Sequence, residues 1–289
     1  MKKTIFLVVP FILFAKAVKV EDILTQANKV KLETSIMYTN IQKKEILLAP
    51  ITYQTANGDF INIPTYVGDT KTNQDYINYG LSFKYGFNKN LEIFINANFY
   101  TNIIHQSSIK HSSKTDSGFG KLVAGLIYQI KEEDNTPSLL VGTNLDVLQR
   151  VSFANNIQRN QSFKGYSFFL TSFYTVDPIV FYLKADVRIN KEQLYKEKTI
   201  KNGNVFVISP KVYFAVNPFT SLNWGIRYRY KGKDFINGKE VSGSGSSIGY
   251  DFGISYEISH KLTFNCDMEK LDTNDYTSNN INLSLVYEY

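Results

Sequence analysis

Apolar and polar residues alternate with a period of two along most of the chain. In Tyr76–Gly86 every second residue from Ile77 onward is apolar, and the same alternation recurs in Ile179–Asn190 and Leu222–Tyr230. This pattern is typical of a β-strand with one apolar and one polar face. The segments also have the roughly 9–11 residues with which a tilted strand crosses a bilayer. We therefore predict an all-β protein.

Short and long connections alternate between these strands. Turn-forming residues make short connections at Phe87–Asn90, Val176–Pro178, Asn217–Pro218 and Ser259–His260. Long polar stretches separate the other strands, at Thr101–Gly118, Gln149–Gln161, Lys191–Asn204, Lys231–Gly245 and Asp272–Asn280. Short periplasmic turns and long extracellular loops are the layout of an outer-membrane barrel. Because lipid offers no hydrogen-bond partners to a sheet edge, we predict a closed antiparallel transmembrane β-barrel.

The strand count depends on the first part of the barrel. Eleven alternating runs cover the chain from residue 76 to the C-terminus. Three further candidates precede them, at Leu32–Tyr38, Ile46–Thr55 and Phe60–Val67. Pro50 and Pro64 interrupt two of these candidates, and proline removes a ladder hydrogen bond. We therefore predict about 12–14 strands, an even number as in bacterial barrels.

The first thirty residues have a different pattern. Lys2 and Lys3 precede an apolar stretch that ends in Ala15-Lys16-Ala17, which is typical of a cleavable signal peptide. We predict residues 1–17 as the signal peptide, residues 18–30 as a periplasmic segment with a short amphipathic helix, and residues 31–289 as the barrel. An exported barrel belongs in the outer membrane of a Gram-negative bacterium.

Composition agrees with a membrane surface. The chain has 20 Tyr and 21 Phe but one Trp, and tyrosine suits a boundary between apolar and aqueous surroundings. The net charge is +6, yet the lysines are scattered and form no long basic block, so nucleic acid is not an expected partner. The expected partners are outer-membrane lipid and a small-molecule solute.

The chain ends on an aromatic residue in mid-strand. Leu283, Leu285, Tyr287 and Tyr289 share one face of the last strand. This ending resembles the C-terminal signal by which the barrel-assembly machinery recognises its substrates. The resemblance implies that this machinery is a partner of the chain.

Three strand–turn–strand segments resemble a known family. They are Tyr85–Ile93, Thr175–Val180 and Phe214–Leu222. They are similar to the outer-membrane transporters associated with the meta-pathway of phenol degradation. The resemblance implies passive transport of small solutes, hydrophobic or aromatic compounds among them.

Charged residues recur on the polar faces of the later strands, which would line the lumen. The candidates are Lys184, Asp186, Arg188, Lys211, Arg227, Arg229, Asp251, Glu257, Asp267 and Glu269. A basic wall beside an acidic wall would set up a transverse field that selects ions. Alternatively the charges pair across neighbouring strands, because buried charges are normally paired. The expected pair is Arg227 or Arg229 with Asp251.

One short stretch resembles an enzyme motif. His105 and Ser107 match the His-x-Ser of outer-membrane phospholipases, but that family's Asn-Gly is absent and Phe119 stands where its orienting Asn would fall. A serine nucleophile needs a positioned base and an orienting group. We therefore expect no catalytic residues, and we predict neither a metal site nor a cofactor.

The sequence as a whole predicts an outer-membrane channel for small solutes. The alternative is a structural or adhesion-type surface barrel that acts through its extracellular loops.

Overall fold

The structure is a computed structural model that describes residues 24–44, 49–64, 73–106, 112–153, 157–195 and 198–289. Twelve long antiparallel strands form the wall: β1 (Val30–Lys43), β4 (Asn73–Gly86), β5 (Leu91–Gln106), β6 (Ser112–Lys131), β7 (Leu139–Phe153), β9 (Gly165–Val176), β10 (Ile179–Asn190), β13 (Val205–Asn217), β14 (Thr220–Lys231), β17 (Gly245–Ser259), β18 (Leu262–Asp272) and β19 (Tyr276–Glu288). The shorter strands are β2 (Ile51–Gln54), β3 (Phe60–Ile63), β8 (Ile157–Gln161), β11 (Gln193–Tyr195), β12 (Lys198–Lys201), β15 (Asp234–Ile236) and β16 (Lys239–Ser242).

The wall closes on itself. Strand β1 pairs with both β4 and β19, and β6 pairs with both β5 and β7, so each of the twelve wall strands has two neighbours. The chain end takes part in this closure, because the amide of Tyr289 donates to the carbonyl of Val30 at 2.8 Å. The predicted closed antiparallel barrel is confirmed. Its twelve wall strands are the lower end of the predicted range of about 12–14.

The two faces of each wall strand follow the alternation of the sequence. In β1, Leu32 and Ile36 point outward and are exposed, whereas Lys31, Glu33 and Ser35 point inward and are buried. The outer surface is consequently a continuous apolar and aromatic band. The interior is polar over most of its height.

The connections differ at the two ends of the barrel. At one end, here the turn end, three of the five connections are two residues long, as at Asp177–Pro178. The longest connection at the turn end is residues 132–138, which includes Asp134. The hydroxyl and the amide of Thr136 donate hydrogen bonds to the Asp134 carboxylate and lower its pKa to about 2. The opposite end, here the loop end, carries most of the longer connections.

Two of the loops at the loop end are shorter than predicted, whereas the connections at residues 191–204 and 232–244 agree with the prediction. Strands β5 and β6 extend into the predicted loop Thr101–Gly118, and residues 273–275 alone connect β18 to β19 where Asp272–Asn280 was predicted as a long loop. The physical reason is that strand pairing uses backbone groups, so the sheet continues through polar sequence beyond the apolar band. Two loops also form a separate four-stranded sheet, β11-β12-β15-β16.

Two predicted wall strands lie inside the barrel. The candidates Ile46–Thr55 and Phe60–Val67 contain β2 and β3, which pair with each other and with no wall strand; residues 45–48 and 65–67 lie outside the described part. This two-stranded element, here the inner hairpin (residues 49–64), runs from the loop end into the interior. Both of its faces are buried, so the wall-strand prediction for these segments was wrong.

The inner hairpin packs into the barrel as a core. Ile51, Tyr53, Ile61 and Ile63 form one buried cluster with inward-facing apolar side chains of the wall, which are Met37, Ile41, Tyr76, Tyr100, Leu271 and Tyr276. Burying each large apolar side chain contributes about 1.5–3 kcal/mol. The hairpin is therefore a packed part of the fold.

The predicted N-terminal helix does not form in the described part of its segment. Residues 24–29 have no helical turn, and Ala27 makes a parallel bridge to Gly86 before β1 begins. The amide and the hydroxyl of Thr25 donate hydrogen bonds to Oε2 of Glu92, at 2.6 Å and 2.7 Å. Backbone pairing and this carboxylate replace helical hydrogen bonds. Residues 1–23, with the predicted signal peptide, lie outside the described residues.

Candidate functional site: the barrel interior

Buried charges occupy the middle of the interior. Arg188, with 1% of its side chain exposed, reaches across β9 to Asp146 on β7, with Nη1 3.0 Å from Oδ1. Lys121 on β6 places its Nζ 2.5 Å from the same carboxylate oxygen. Nearby on β10, Lys184 lies 3.3 Å from Asp186. Asp146 thus bridges the basic side chains of Lys121 and Arg188.

A second charged group lies on the far side of the interior. Lys211 Nζ is 2.6 Å from Asp251, and Arg227 Nη1 is 2.8 Å from Glu269. The expected pairing of Arg227 or Arg229 with Asp251 was therefore wrong. Asp251 faces Lys211 through the small Gly225, whereas the longer Arg227 reaches past it to β18.

The remaining candidates are not part of these pairs. Asp267 is half-buried and accepts a 3.4 Å hydrogen bond from Asn223. Glu257 lies at the turn end, where His260 contacts it at 3.1 Å. Close pairing of opposite charges cancels most of the transverse field that separate basic and acidic walls would produce.

Arginines of β14 hold the inner hairpin through its backbone. Arg229 donates to the carbonyl of Thr52 at 2.7 Å, and Arg227 donates to the carbonyl of Gln54 at 3.3 Å. The hydroxyl of Tyr53 donates to Glu269 at 2.8 Å. Arg227 and Glu269, which form an ion pair with each other, thus also hold the hairpin against β14 and β18.

The opposite wall is rich in uncharged amides. Asn78 donates to Asn98 at 3.1 Å, while Oδ1 of Asn78 and Nδ2 of Asn98 have no partner among the described residues. Nδ2 of Asn102 on β5 and Nδ2 of Asn282 on β19 are likewise buried without a protein partner in the described part of the chain. We call the inward surface of β4 and β5 the amide wall, formed by Asn78, Ser82, Asn96, Asn98 and Asn102.

Two small cavities separate the hairpin from the amide wall. The one nearer the loop end lies beside Tyr76 and Tyr100, and the one nearer the turn end lies beside Asp59 and Ser82. Each has a volume of about 10 Å³, room for about one water molecule. Both are lined by Asn78 and Asn98, so this amide pair lies where they meet.

An apolar cluster narrows the interior at the turn end. Leu24, from the segment that precedes β1, is buried against Leu140, Phe173 and Val180. The chain therefore enters the barrel interior from both ends, as the hairpin from one side and as residues 24–25 from the other.

A larger cavity lies on the outer face of the wall. It has a volume of about 420 Å³ and runs across β9, β10, β13 and β14, where Phe181, Leu183 and Trp224 line it with exposed side chains. Pro210 also lines it, and the pairing of β13 with β14 skips Ser209 and Pro210. Proline has no N–H to donate, so the sheet is weakened at this groove.

The enzyme-like stretch lies at the loop end of β5. His105 Nε2 is 2.8 Å from Asp75 on the neighbouring strand, and Phe119 packs edge-on against Phe99. Ser107 lies outside the described residues.

Comparisons with known proteins identify this architecture. The family model of the outer membrane protein β-barrel domain matches residues 140–288, more than half of the chain. The chain belongs to this family. It is therefore a protein of the bacterial outer membrane, with the turn end in the periplasm, the loop end outside the cell and the apolar outer face against lipid. The predicted resemblance is confirmed at the level of an outer-membrane barrel; the link to phenol degradation stays a prediction.

Solved structures share the fold over nearly the whole chain. The COG4313 outer membrane channel from Pseudomonas putida F1 has a TM-score of 0.61 at 12% identity, covering 90% of this chain and 95% of that one. The translocator domain of the autotransporter NalP from Neisseria meningitidis has a TM-score of 0.51 at 7% identity, covering 91% and 89%. The NanC porin has a TM-score of 0.50 at 9% identity, covering 88% and 98%. No curated protein matches the chain.

The interior residues that sequence reasoning missed are Lys121, Asp146 and the residues of the amide wall. Asp146 and the residues of the amide wall are on polar faces of alternating strands, so their inward orientation was open to prediction, whereas Lys121 shares its face of β6 with the apolar Val123. The side chains with which these residues pair could not be predicted, because β-bulges at residues 98–99 and 122–123 shift the register between strands.

Replacing Asp146 should destabilise the barrel. In Asp146→Asn, Lys121 and Arg188 lose the carboxylate that neutralises them, and breaking a buried ion pair costs about 3–5 kcal/mol. Urea unfolding of the refolded protein in lipid vesicles measures the loss. Asp272→Asn, which breaks the exposed 2.5 Å pair with Lys44, is the control and should change little. Equal effects of the two substitutions would contradict the structural role of Asp146.

Neutralising Arg227 and Arg229 together should alter conductance as well as ion selectivity. The double variant Arg227→Gln, Arg229→Gln weakens the hydrogen bonds to the hairpin carbonyls, so the hairpin is held less firmly and current through a planar bilayer should rise. A field acting alone would change only the ratio of cation to anion permeability. Unchanged current and unchanged selectivity would contradict both roles.

Proposed function

We propose that this chain is a passive channel for small solutes across the outer membrane. The amide wall carries this proposal. A buried amide atom without a partner costs about 1–3 kcal/mol, and such atoms are normally satisfied by water. A strip of them along the interior is a hydrated surface on which a solute can travel. The likeness to a protein described as an outer membrane channel supports the proposal.

Hydrophobic or aromatic compounds are the solute class that the family resemblance implies. The groove on the outer wall supports this class, because aromatic and aliphatic side chains line a cavity large enough for a small organic molecule. A compound dissolved in the membrane would reach Trp224 and Phe181 without crossing water. The groove is therefore a candidate first binding site for such compounds.

The alternative is a structural or adhesion-type surface barrel. The sheet β11-β12-β15-β16 favours it, because two extracellular loops are organised into a defined surface there. The packed interior is also compatible with a barrel that conducts nothing. The two functions differ in one measurable property, which is passage of solute.

We propose further that the protein acts without a catalytic step, that residues 1–17 are removed on export and that the barrel-assembly machinery recognises the last strand. The side chains of Leu283, Leu285, Tyr287 and Tyr289 all lie exposed on its outer face, which supports recognition from the membrane side. His105 contacts an acidic side chain, but exposed His–Asp contacts are common in polar loop ends and do not by themselves make a site.

The purified, refolded protein should conduct. In planar bilayers it should give single-channel currents, and in liposomes loaded with an impermeant polymer it should allow swelling in isotonic solutions of small solutes. Bilayers and liposomes prepared without protein serve as controls. A correctly folded barrel that gives neither current nor swelling would support the structural alternative instead.

A hydrophobic ligand should quench the single tryptophan. Trp224 lines the groove, so bromobenzene bound there should quench its fluorescence in nanodiscs with a saturable dependence on concentration. Ser172→Phe places a ring in the groove and should abolish the saturable part. Ile36→Phe, on the outer face of β1, should retain it. Quenching that stays linear in the unmodified protein would mean simple partition into lipid and no binding at the groove.

A further inference from the structure

The inner hairpin is held differently on its two sides. Facing β14 and β18 it is fixed by Arg229, Arg227 and Glu269, and facing β13 by Phe60, which packs on Val205 and Val207. These contacts combine charge-assisted hydrogen bonds, which are roughly twice as strong as neutral ones, with apolar packing.

The side that faces the amide wall contains the two cavities. Near the turn end the hairpin is joined to this wall at Asp59, whose Oδ2 accepts a 2.8 Å hydrogen bond from Asn96. Toward the loop end, the carbonyl of Pro64 accepts from Gln74 at 2.8 Å, and the rings of Tyr76 and Tyr100 stack with centroids 5.8 Å apart. The cavities succeed one another along the barrel and meet at Asn78 and Asn98.

We propose that solutes pass between the inner hairpin and the amide wall, through the point where Asn78 meets Asn98, and that the hairpin moves away from β4 and β5 to admit them. This rests on the proposed channel function. Movement is required because each cavity holds only about one water molecule. The contacts to β14 form the fixed side. The hydrogen bonds of Asp59 with Asn96 and of Pro64 with Gln74 open, together with the packing of the hairpin on Tyr76 and Tyr100.

The chemistry of this path suits small polar solutes. Asn78 and Asn98 are uncharged and offer both donors and acceptors, so they replace the hydration of a polar solute. Charged side chains of both signs line the cavities on either side of them, Lys121 in one and Asp59 in the other. Hydrophobic compounds would find the groove on the outer face a better match. Monovalent ions are therefore the probe for the inner path.

Cysteine accessibility tests where the path runs. In a Cys266→Ser background, which removes the chain's single cysteine, Asn98→Cys should become reactive to a positively charged methanethiosulfonate reagent added at the extracellular side, and KCl current should be lost. Val207→Cys, buried against Phe60 on the fixed side, should be insensitive. Loss of current at Val207→Cys with none at Asn98→Cys would overturn the proposed path.

Cross-linking tests the movement. In the same background, Asp59→Cys with Asn96→Cys is bridged by a short bifunctional thiosulfonate reagent, which fastens the hairpin to the amide wall. Current should fall on bridging and return on reduction. The control pair is Asn265→Cys with Ser284→Cys, which face each other on β18 and β19 at 3.2 Å in the unmodified chain and do not involve the hairpin. Bridging that pair should leave current unchanged.

The outcomes separate the two proposals. Conductance that bridging of Asp59→Cys with Asn96→Cys does not alter would overturn the moving hairpin and leave the channel function intact. Absence of conductance in the unmodified protein and in every reduced variant would overturn the channel function and the path with it. If bridging the control pair also abolishes the current, the loss is caused by a more rigid wall, and the moving hairpin is overturned.

Discussion

Backbone pairing between β1 and β19 is the constraint on which the rest of the structure depends. Lipid supplies no hydrogen-bond partners, so the first and last wall strands must satisfy each other's backbone groups over thirteen register pairs, from Lys31–Glu288 to Lys43–Tyr276. Closure fixes which face of every strand points outward. The outer face is then apolar because it meets lipid, and polar side chains are confined to the interior.

A confined polar interior must satisfy its own charges. The barrel does so in two ways, by ion pairs such as Arg188 with Asp146 and by accepting a polypeptide segment whose carbonyls serve as partners. The inner hairpin is thus part of the electrostatic balance as well as an obstruction. It satisfies Arg229 at Thr52 and shares Glu269 between Tyr53 and Arg227.

The sequence predicted the wall well and the interior poorly, for physical reasons. Alternation in a wall strand such as Ile179–Asn190 reports a local property, the difference between lipid and interior on its two faces. The segments Ile51–Gln54 and Phe60–Ile63 are buried on both faces and carry the same residue types, so periodicity alone did not separate them from wall strands. Pro50 and Pro64 were the available signal, because they bound segments too short to cross a membrane.

To predict which charged side chains form ion pairs, it is not enough to know which face of its strand each one lies on. Arg188 reaches past a whole strand to Asp146, and only the register of β7, β9 and β10 brings them together. The same limit applies to transport. Closure of the sheet and the alternation of polar and apolar residues establish that the barrel has an interior. What can pass through this interior depends on which side of the inner hairpin is bonded to the wall. Arginine donors hold the hairpin on one side, whereas the two cavities lie on the other, so the side with the cavities is where a path can open.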